Sequence, residues 1–137
     1  MTDRRNFIKA TLTVASGAAL GQASTAFAAS TTSWPANIVY TAKDPGQWAP
    51  KVGGHAPKVR VKDKKVTITT DHIMTEKHYI VRHTLVSEDG KVLGAKTFSS
   101  DDEDAISTFD LPDGHSAKLY ATSFCNKHDL WVTEFTT

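Results

Sequence analysis

The sequence predicts an all-β domain, a small antiparallel β-sandwich of about seven strands. Short segments rich in Val, Ile and Thr alternate apolar and polar residues, and turn-forming residues separate them at short intervals. No segment carries a sustained helical period. The predicted strands cover residues 58–61, 65–70, 78–87, 91–98, 105–111, 118–124 and 131–135.

Turn signals connect these strands in order. Asp63-Lys64 predicts a tight turn between the first two strands, and Glu88-Asp89-Gly90 predicts a hairpin between the third and the fourth. Residues 99–104 form an acidic loop, and Pro112-Asp113-Gly114 turns the chain before the sixth strand. Short connections of this kind join neighbouring antiparallel strands, which favours a sandwich over a parallel sheet.

Residues 1–28 are predicted to be a twin-arginine signal peptide. Arg4-Arg5 precedes apolar residues and Lys9, a mildly apolar run follows at 10–20, and Ala26-Phe27-Ala28 is a small-x-small cleavage site. The run is too short to span the roughly 30 Å of a bilayer core, so we expect no membrane anchor. Cleavage would leave a mature chain starting near Ala29, exported in its folded state to the bacterial periplasm.

The rest of the chain is one domain's worth of residues. Residues 29–46 contain prolines and a glycine and are predicted to be an extended arm, which leaves 47–137 as the folded domain. The whole chain has 16 basic and 15 acidic residues; without residues 1–28 it has 13 and 14, a net charge of −1. A near-neutral domain gives no support for binding nucleic acid or an anionic membrane surface.

Basic residues cluster locally in and after the first predicted strand. Two interpretations stay open for this cluster. The favoured one is a solvated strand edge and turn, and the other is attraction of an anion toward a nearby site. The cluster consists of Lys58, Arg60, Lys62, Lys64 and Lys65.

Cys125 is the only cysteine, so it has no intrachain disulfide partner in a compartment that favours disulfides. His128 follows three residues later, and Cys-x-x-His offers a metal one soft sulfur and one imidazole. His55, His72 and His78 supply three more imidazoles upstream. A thiolate bound to a metal would be protected from oxidation, which favours a metal site.

All five of these side chains fall on predicted loops or strand ends. A sandwich gathers its connections at two ends, so loops distant in sequence can meet there. His83 falls within a predicted strand and His115 follows a turn, so both are interpreted as ordinary hydrogen-bonded or surface histidines. The predicted ligand set is therefore His55, His72, His78, Cys125 and His128.

The donor set discriminates among metals. Structural zinc prefers four ligands in a closed tetrahedron, usually with more sulfur. Blue copper uses two histidines, a cysteine and often a distant methionine. Four imidazoles with one thiolate suit a square-pyramidal iron with four nitrogens in a plane and sulfur on one axis. The opposite axis would be open to a small molecule, and the anionic sulfur would push electron density toward it.

The motifs resemble those of superoxide reductase, the iron domain of desulfoferrodoxins and neelaredoxins. The resemblance runs from about Gln47 to Phe135 in three ordered blocks. It implies an immunoglobulin-like β-sandwich with one iron ion, four equatorial histidines and an axial cysteine. It also implies one-electron reduction of superoxide to hydrogen peroxide with an external electron donor protein. The matching blocks are Trp48…His55-Ala56-Pro57-Lys58-Val59, His72-x5-His78-Tyr79-Ile80 and Leu119-Tyr120-Ala121-x2-Phe124-Cys125-Asn126-x-His128-x-Leu130-Trp131.

Two departures from the family pattern stand out. The family commonly has Glu-Lys directly before the first histidine, as a carboxylate cap for the open iron position and a cation that attracts superoxide; this chain has Gly53-Gly54. Lys51 and Lys127 are the candidates for anion steering in their place. The four-cysteine module of two-iron relatives is not found before the domain, so the chain resembles the one-iron class.

Two other functions stay open. A non-catalytic iron or electron-transfer protein on the same fold is favoured by Gly53-Gly54. A carrier module of a sulfur-oxidising system would need a glycine-flanked terminal cysteine, which is not found here. The sequence does not name the electron donor and leaves a homo-oligomer open.

Overall fold

The computed structural model of the protein describes residues 34–115 and 117–137. The predicted signal peptide and the first part of the predicted arm lie outside these residues. Pro35–Thr137 forms one compact unit. Among the described residues, no helix has the length and apolar character needed to cross a membrane.

Eight strands and two short helices make up the described part of the chain. The helices are a 3-10 helix, Gly46–Lys51, and a single α-helical turn, α1, Val52–His55. The strands are β1 Val39–Tyr40, β2 Lys58–Lys62, β3 Lys65–Thr70, β4 Ile80–Ser87, β5 Val92–Thr97, β6 Ala105–Asp110, β7 Lys118–Cys125 and β8 Asp129–Thr136.

The strands form two sheets, which confirms the predicted all-β sandwich. One sheet has five strands in the order β1-β8-β7-β4-β5, and the other has three in the order β2-β3-β6. All pairs are antiparallel except β1 with β8, which is parallel. Each of the seven predicted strands corresponds to one of β2 to β8.

Alternation along the strands builds the core between the sheets. Val66 and Ile68 of β3 face Leu85 of β4 and Leu119 and Ala121 of β7, and all five are fully buried. Burying each of the four larger side chains, those of Val, Ile and Leu, stabilises the fold by about 1.5–3 kcal/mol relative to leaving it exposed. The apolar members of the period-2 pattern are therefore the ones that hold the two sheets together.

Backbone conformation matters at two places in this frame. Asp63 and Lys64 both have positive φ, 51° and 59°, as in the two-residue turns whose twist matches that of the flanking strands. A Cβ on Gly94 of β5 would lie 2.3 Å from the ring of Phe109 on β6. Glycine at this position therefore allows the edges of the two sheets to approach each other.

The structure differs from the sequence prediction before β2. The predicted extended arm contains β1, and the predicted loop around Gly53-Gly54 is the helical turn α1, so His55 ends a helix rather than lying in a loop. β1 forms because Val39 and Tyr40 pair with Leu130 and Trp131 of β8. That pairing is tertiary, and a two-residue strand has no period that sequence reasoning can detect.

A buried polar network lies between the two sheets beneath the strand ends. The two ring nitrogens of His83 on β4 lie 2.9 Å from the hydroxyl oxygens of Thr70 on β3 and Ser107 on β6. The Thr70 hydroxyl also lies 2.8 Å from that of Ser123 on β7. Burial, together with the charge of Lys96, lowers the pKa of His83 to about 4. The interpretation of His83 as an ordinary hydrogen-bonded histidine agrees with this placement, and its full burial was not predicted.

We expect His83 to make the protein less stable as the pH falls from 6.5 to 4. Folded His83 stays neutral in this window while unfolded His83 takes up a proton, so the unfolded state binds more protons and the free energy of unfolding falls. The loss is about 1.4 kcal/mol per pH unit at most, or roughly 3 kcal/mol over the window. Urea unfolding of wild type and His83→Gln across this range would measure it. Parallel stability curves for the two proteins would contradict the assignment.

Candidate metal centre

Five side chains with metal-ligating atoms meet at one end of the sandwich. One ligand atom from each lies within 4.8 Å of all the others. They come from the end of α1, from both ends of the segment between β3 and β4, from the end of β7 and from the β7–β8 turn. These are the five residues that the sequence predicted to converge, whereas His83 and His115 lie outside the group. The five are His55, His72, His78, Cys125 and His128.

The four imidazoles occupy the corners of a square. His55 Nε2 lies 2.9 Å from His128 Nδ1, His128 Nδ1 lies 3.1 Å from His78 Nε2, and His78 Nε2 lies 3.1 Å from His72 Nε2. The fourth side is His72 to His55, whose ring centroids are 4.6 Å apart. The ring centroids of His55 and His78 are 6.1 Å apart, as expected for opposite corners.

The sulfur of Cys125 stands off this square. Its Sγ lies 3.9 Å from His72 Nε2 and 3.7 Å from His128 Nδ1, which are opposite corners. The sulfur is thus nearly equidistant from these two corners, and it lies within 4.8 Å of the ligand atoms of His55 and His78.

These dimensions fit a metal ion. Metal–nitrogen distances near 2.1 Å place neighbouring nitrogens of a planar set about 3.0 Å apart, which matches the three measured sides. A set of four closely spaced nitrogens and one sulfur differs from the four-ligand tetrahedron of structural zinc and from the trigonal blue-copper site. The geometry therefore agrees with the square-pyramidal donor set that the sequence suggested.

Backbone carbonyl groups orient two of the imidazoles. His55 Nδ1–H donates to the carbonyl oxygen of Lys51, at 2.9 Å, and His72 Nδ1–H donates to that of Ile73. A hydrogen bond at one ring nitrogen fixes the tautomer and leaves the lone pair on the other. Both Nε2 atoms are thus prepared to act as ligands.

The environment keeps all four imidazoles neutral at ordinary pH. Burial is the main cause in each case, and it lowers the pKa of His55 to about 4 despite the opposing hydrogen bond to Lys51. Burial also lowers the pKa of His72, His78 and His128, with further lowering by nearby positive charges. A metal therefore has little competition from protons for these nitrogens.

Asn126 joins the two loops that carry three of the five ligands. Its Oδ1 accepts a hydrogen bond from the Tyr79 backbone N–H, and its Nδ2–H donates to the carbonyl oxygen of Lys77, both at 3.1 Å. The backbone N–H of Lys127 points at Cys125 Sγ, at 3.5 Å, where it would stabilise a thiolate. Sequence reasoning assigned Asn126 no role, although it stands inside the Cys-x-x-His motif.

Two tryptophans make contacts with the β7–β8 turn, which carries His128. The Trp131 indole N–H donates to the carbonyl oxygen of His128, at 2.9 Å. The Trp48 ring packs edge-on against the His128 ring, with centroids 4.7 Å apart, and its N–H donates to Asp129, at 3.1 Å. These contacts hold the turn between β7 and β8 in place.

The two lysines predicted to steer an anion are both exposed. The positive charge of Lys51 lowers the pKa of His72, His78 and His128, and that of Lys127 lowers the pKa of His78 and His128. Both ammonium groups therefore act electrostatically on the centre. Three of the five clustered basic residues form ion pairs, Lys58 with Asp71, Lys64 with Asp113 and Lys65 with Asp110.

The fold and the site together define a metal-binding β-sandwich protein with four imidazoles and one thiol in its centre. The sequence profile of the desulfoferrodoxin family matches residues 47–134, so this chain belongs to the desulfoferrodoxin family. The resemblance seen in its motifs is thereby confirmed. No curated protein sequence is a significant match to the chain.

Solved structures of superoxide reductases share the fold. The enzyme (neelaredoxin) from Ignicoccus hospitalis is 26% identical with a TM-score of 0.62, and the match covers 72% of this chain and 92% of that one. A variant of the Archaeoglobus fulgidus neelaredoxin, in the reduced form, is 27% identical with a TM-score of 0.53, covering 61% and 88%. The Treponema pallidum enzyme is 27% identical with a TM-score of 0.52, covering 62% and 69%.

We expect alanine at any one of the four corner histidines to lower the amount of metal that the purified protein retains. Each change removes one of four nitrogen donors from the square. Loss of a ligand should weaken retention by more than the 10- to 100-fold that is typical of losing an orienting partner. Metal analysis after dialysis against a chelator would measure this. His115→Ala is the matched control, and equal metal loss in it would contradict the ligand set.

Proposed function

We propose that this protein is a superoxide reductase, which reduces superoxide to hydrogen peroxide at one iron ion held by the five side chains of the centre. The square of four neutral imidazole nitrogens with a thiol sulfur on one side carries the proposal. Solved structures named as superoxide reductases share the fold, which supports it.

The reaction needs one electron and two protons for each superoxide, and it yields one hydrogen peroxide. Bound iron would supply the one-electron redox change, and an external donor protein would return it to the ferrous state. His55, His72, His78 and His128 would hold the metal as neutral donors, and Cys125 as an anionic one. The Lys127 backbone N–H would hold the thiolate in position.

Gly53 stands where the family resemblance implies a carboxylate cap. Gly53 is exposed, and a Cβ on it would meet no heavy atom within 4 Å apart from its chain neighbours and the backbone of its own helix. We therefore propose that the open position is not closed by a side chain from this turn. The positive field of Lys51 and Lys127 would then attract the superoxide anion directly.

A second function is an iron-binding or electron-transfer protein on the same fold, without catalysis. The glycines at 53 and 54 favour it, because the family's carboxylate and lysine are both missing there. Superoxide consumption in the presence of excess reductant discriminates between the two. A ferrous protein that reacts with superoxide no faster than free iron would favour the second function.

We also propose that the protein works in the periplasm after export in its folded state. The twin-arginine pattern at Arg4-Arg5 and the single cysteine support this location. Fractionation of cells that produce the native chain, compared with an Arg4→Lys/Arg5→Lys double variant, tests it.

We expect Cys125→Ser to abolish the sulfur-to-iron charge-transfer absorption of the oxidised protein and most of its activity. The hydroxyl is a poorer anionic donor than the thiolate. Because Cys125 lies at the end of β7, the sandwich should remain folded. Visible absorption and far-UV circular dichroism of the iron-loaded variant measure both effects. A charge-transfer band that persists in the variant would show that Cys125 is not the ligand.

We expect Lys51→Ala to lower the second-order rate of the ferrous protein with superoxide by about 3- to 10-fold at low ionic strength, and Lys127→Ala by less. Both remove a positive charge that acts on the centre, and removing it should also flatten the salt dependence. Pulse radiolysis or stopped flow at several salt concentrations gives both quantities. Lys91→Ala, in the hairpin loop at the opposite end of the sandwich, is the matched control. Rates and salt slopes equal to wild type in both variants would refute steering by these lysines.

A further inference from the structure

A shallow groove of about 300 Å³ lies beside the metal centre, along the junction of β3 and β6. Its wall includes the ligand His72 and two isoleucines, Ile73 and Ile106, which are 62% and 40% exposed. Large apolar side chains this exposed have not been buried by folding. A small apolar area surrounded by polar groups is the usual anatomy of a protein contact surface.

Negative charge lines one side of this groove. Residues 101–104 are four consecutive acidic residues, of which Asp104 lines the groove itself. Within residues 34–115 and 117–137 none of the four forms an ion pair. Lys96 brings one positive charge to the same edge, where its ammonium donates to the carbonyl oxygen of Ile106, at 3.1 Å. Asp71 also lines the groove but is paired with Lys58, so residues 101–104 and Lys96 leave a net charge of −3.

We propose that this groove is the docking site of the electron donor, and that the donor is a small one-electron redox protein with basic residues around an apolar contact. The proposal rests on the proposed function, which requires such a donor. Charge complementarity selects a basic partner over an acidic one, because an acidic protein would meet the uncompensated carboxylates of Asp101, Glu103 and Asp104.

The position of the groove suits electron transfer. His72 lies in its wall, directs Nε2 into the centre and donates from Nδ1 to the carbonyl oxygen of Ile73. A donor seated on Ile73 is thus in contact with the residue next to a ligand. One electron would leave the donor, which is oxidised, and reduce the ferric centre to ferrous, with no covalent bond formed or broken.

The test is reduction of the ferric protein by a lysine-rich c-type cytochrome in its reduced state, followed by stopped flow. The triple variant Asp101→Asn/Glu103→Gln/Asp104→Asn should react about 10-fold more slowly at low ionic strength and lose most of the salt dependence. Asp102 is left unchanged, because its carboxylate accepts a hydrogen bond from the Ser99 backbone. The control variant Asp63→Asn/Glu88→Gln/Asp113→Asn removes the same charge at the opposite end and should keep the wild-type rate.

Binding without turnover gives a second readout. Titration calorimetry of the ferric protein with oxidised cytochrome should show weaker affinity for the acidic-loop variant and for Ile73→Asn, but not for the control variant. Equal effects of the two charge variants, or faster reduction by an acidic rubredoxin than by the cytochrome, would overturn the proposal. Oxidation of the pre-reduced protein by superoxide is measured separately, so failure of the proposed function is distinguishable from failure of the docking site.

Discussion

Each close contact between two imidazole nitrogens of the square needs one donor and one acceptor, and the rest of the site depends on this constraint. His55 and His72 use their only N–H groups on backbone carbonyls, so their Nε2 atoms can only accept. His128 and His78 would then have to donate to them, which leaves two N–H groups facing each other at 3.1 Å. Hydrogen bonds among neutral imidazoles cannot satisfy all three contacts, whereas one cation at the centre satisfies four lone pairs at once.

The sandwich holds this otherwise unfavourable arrangement by fixing the strands that lead into it. Thr70 and Ser123 each lie two residues before a ligand, and their hydroxyls meet in the buried network around His83. Ile80 pairs with Cys125 across the sheet, so the strand after His78 and the strand that ends in the thiol share one register. The ligands are thus extensions of a rigid frame, which is how a site made of loop residues can be geometrically defined.

Strand positions could be predicted from the sequence because alternation, as at Val66 and Ile68, is a local property. The convergence of the five side chains could be predicted because the cysteine and the clustered histidines stood at turns. The order of the imidazoles around the square could not be predicted from the sequence, because it depends on how three loops approach one another. The helical turn α1 was not predicted, because its two glycines disfavour a helix. Two hydrogen bonds at its end hold it, from the Ala56 N–H to the carbonyl oxygen of Val52 and from the His55 ring to that of Lys51.

Gly53 and Gly54 of α1 differ in the space that a larger side chain would have. This difference concerns the two positions at which the chain departs from its family. A Cβ on Gly53 would meet open space, whereas one on Gly54 would lie 3.3 Å from the carbonyl oxygen of Asp71, the residue before His72. A side chain at position 54 would therefore require the end of β3 or α1 to shift by a few tenths of an ångström. Under the proposed function, the charge that attracts superoxide must come from a residue other than 54. Lys51 lies about one helical turn before Gly54, and its carbonyl oxygen accepts a hydrogen bond from the His55 ring.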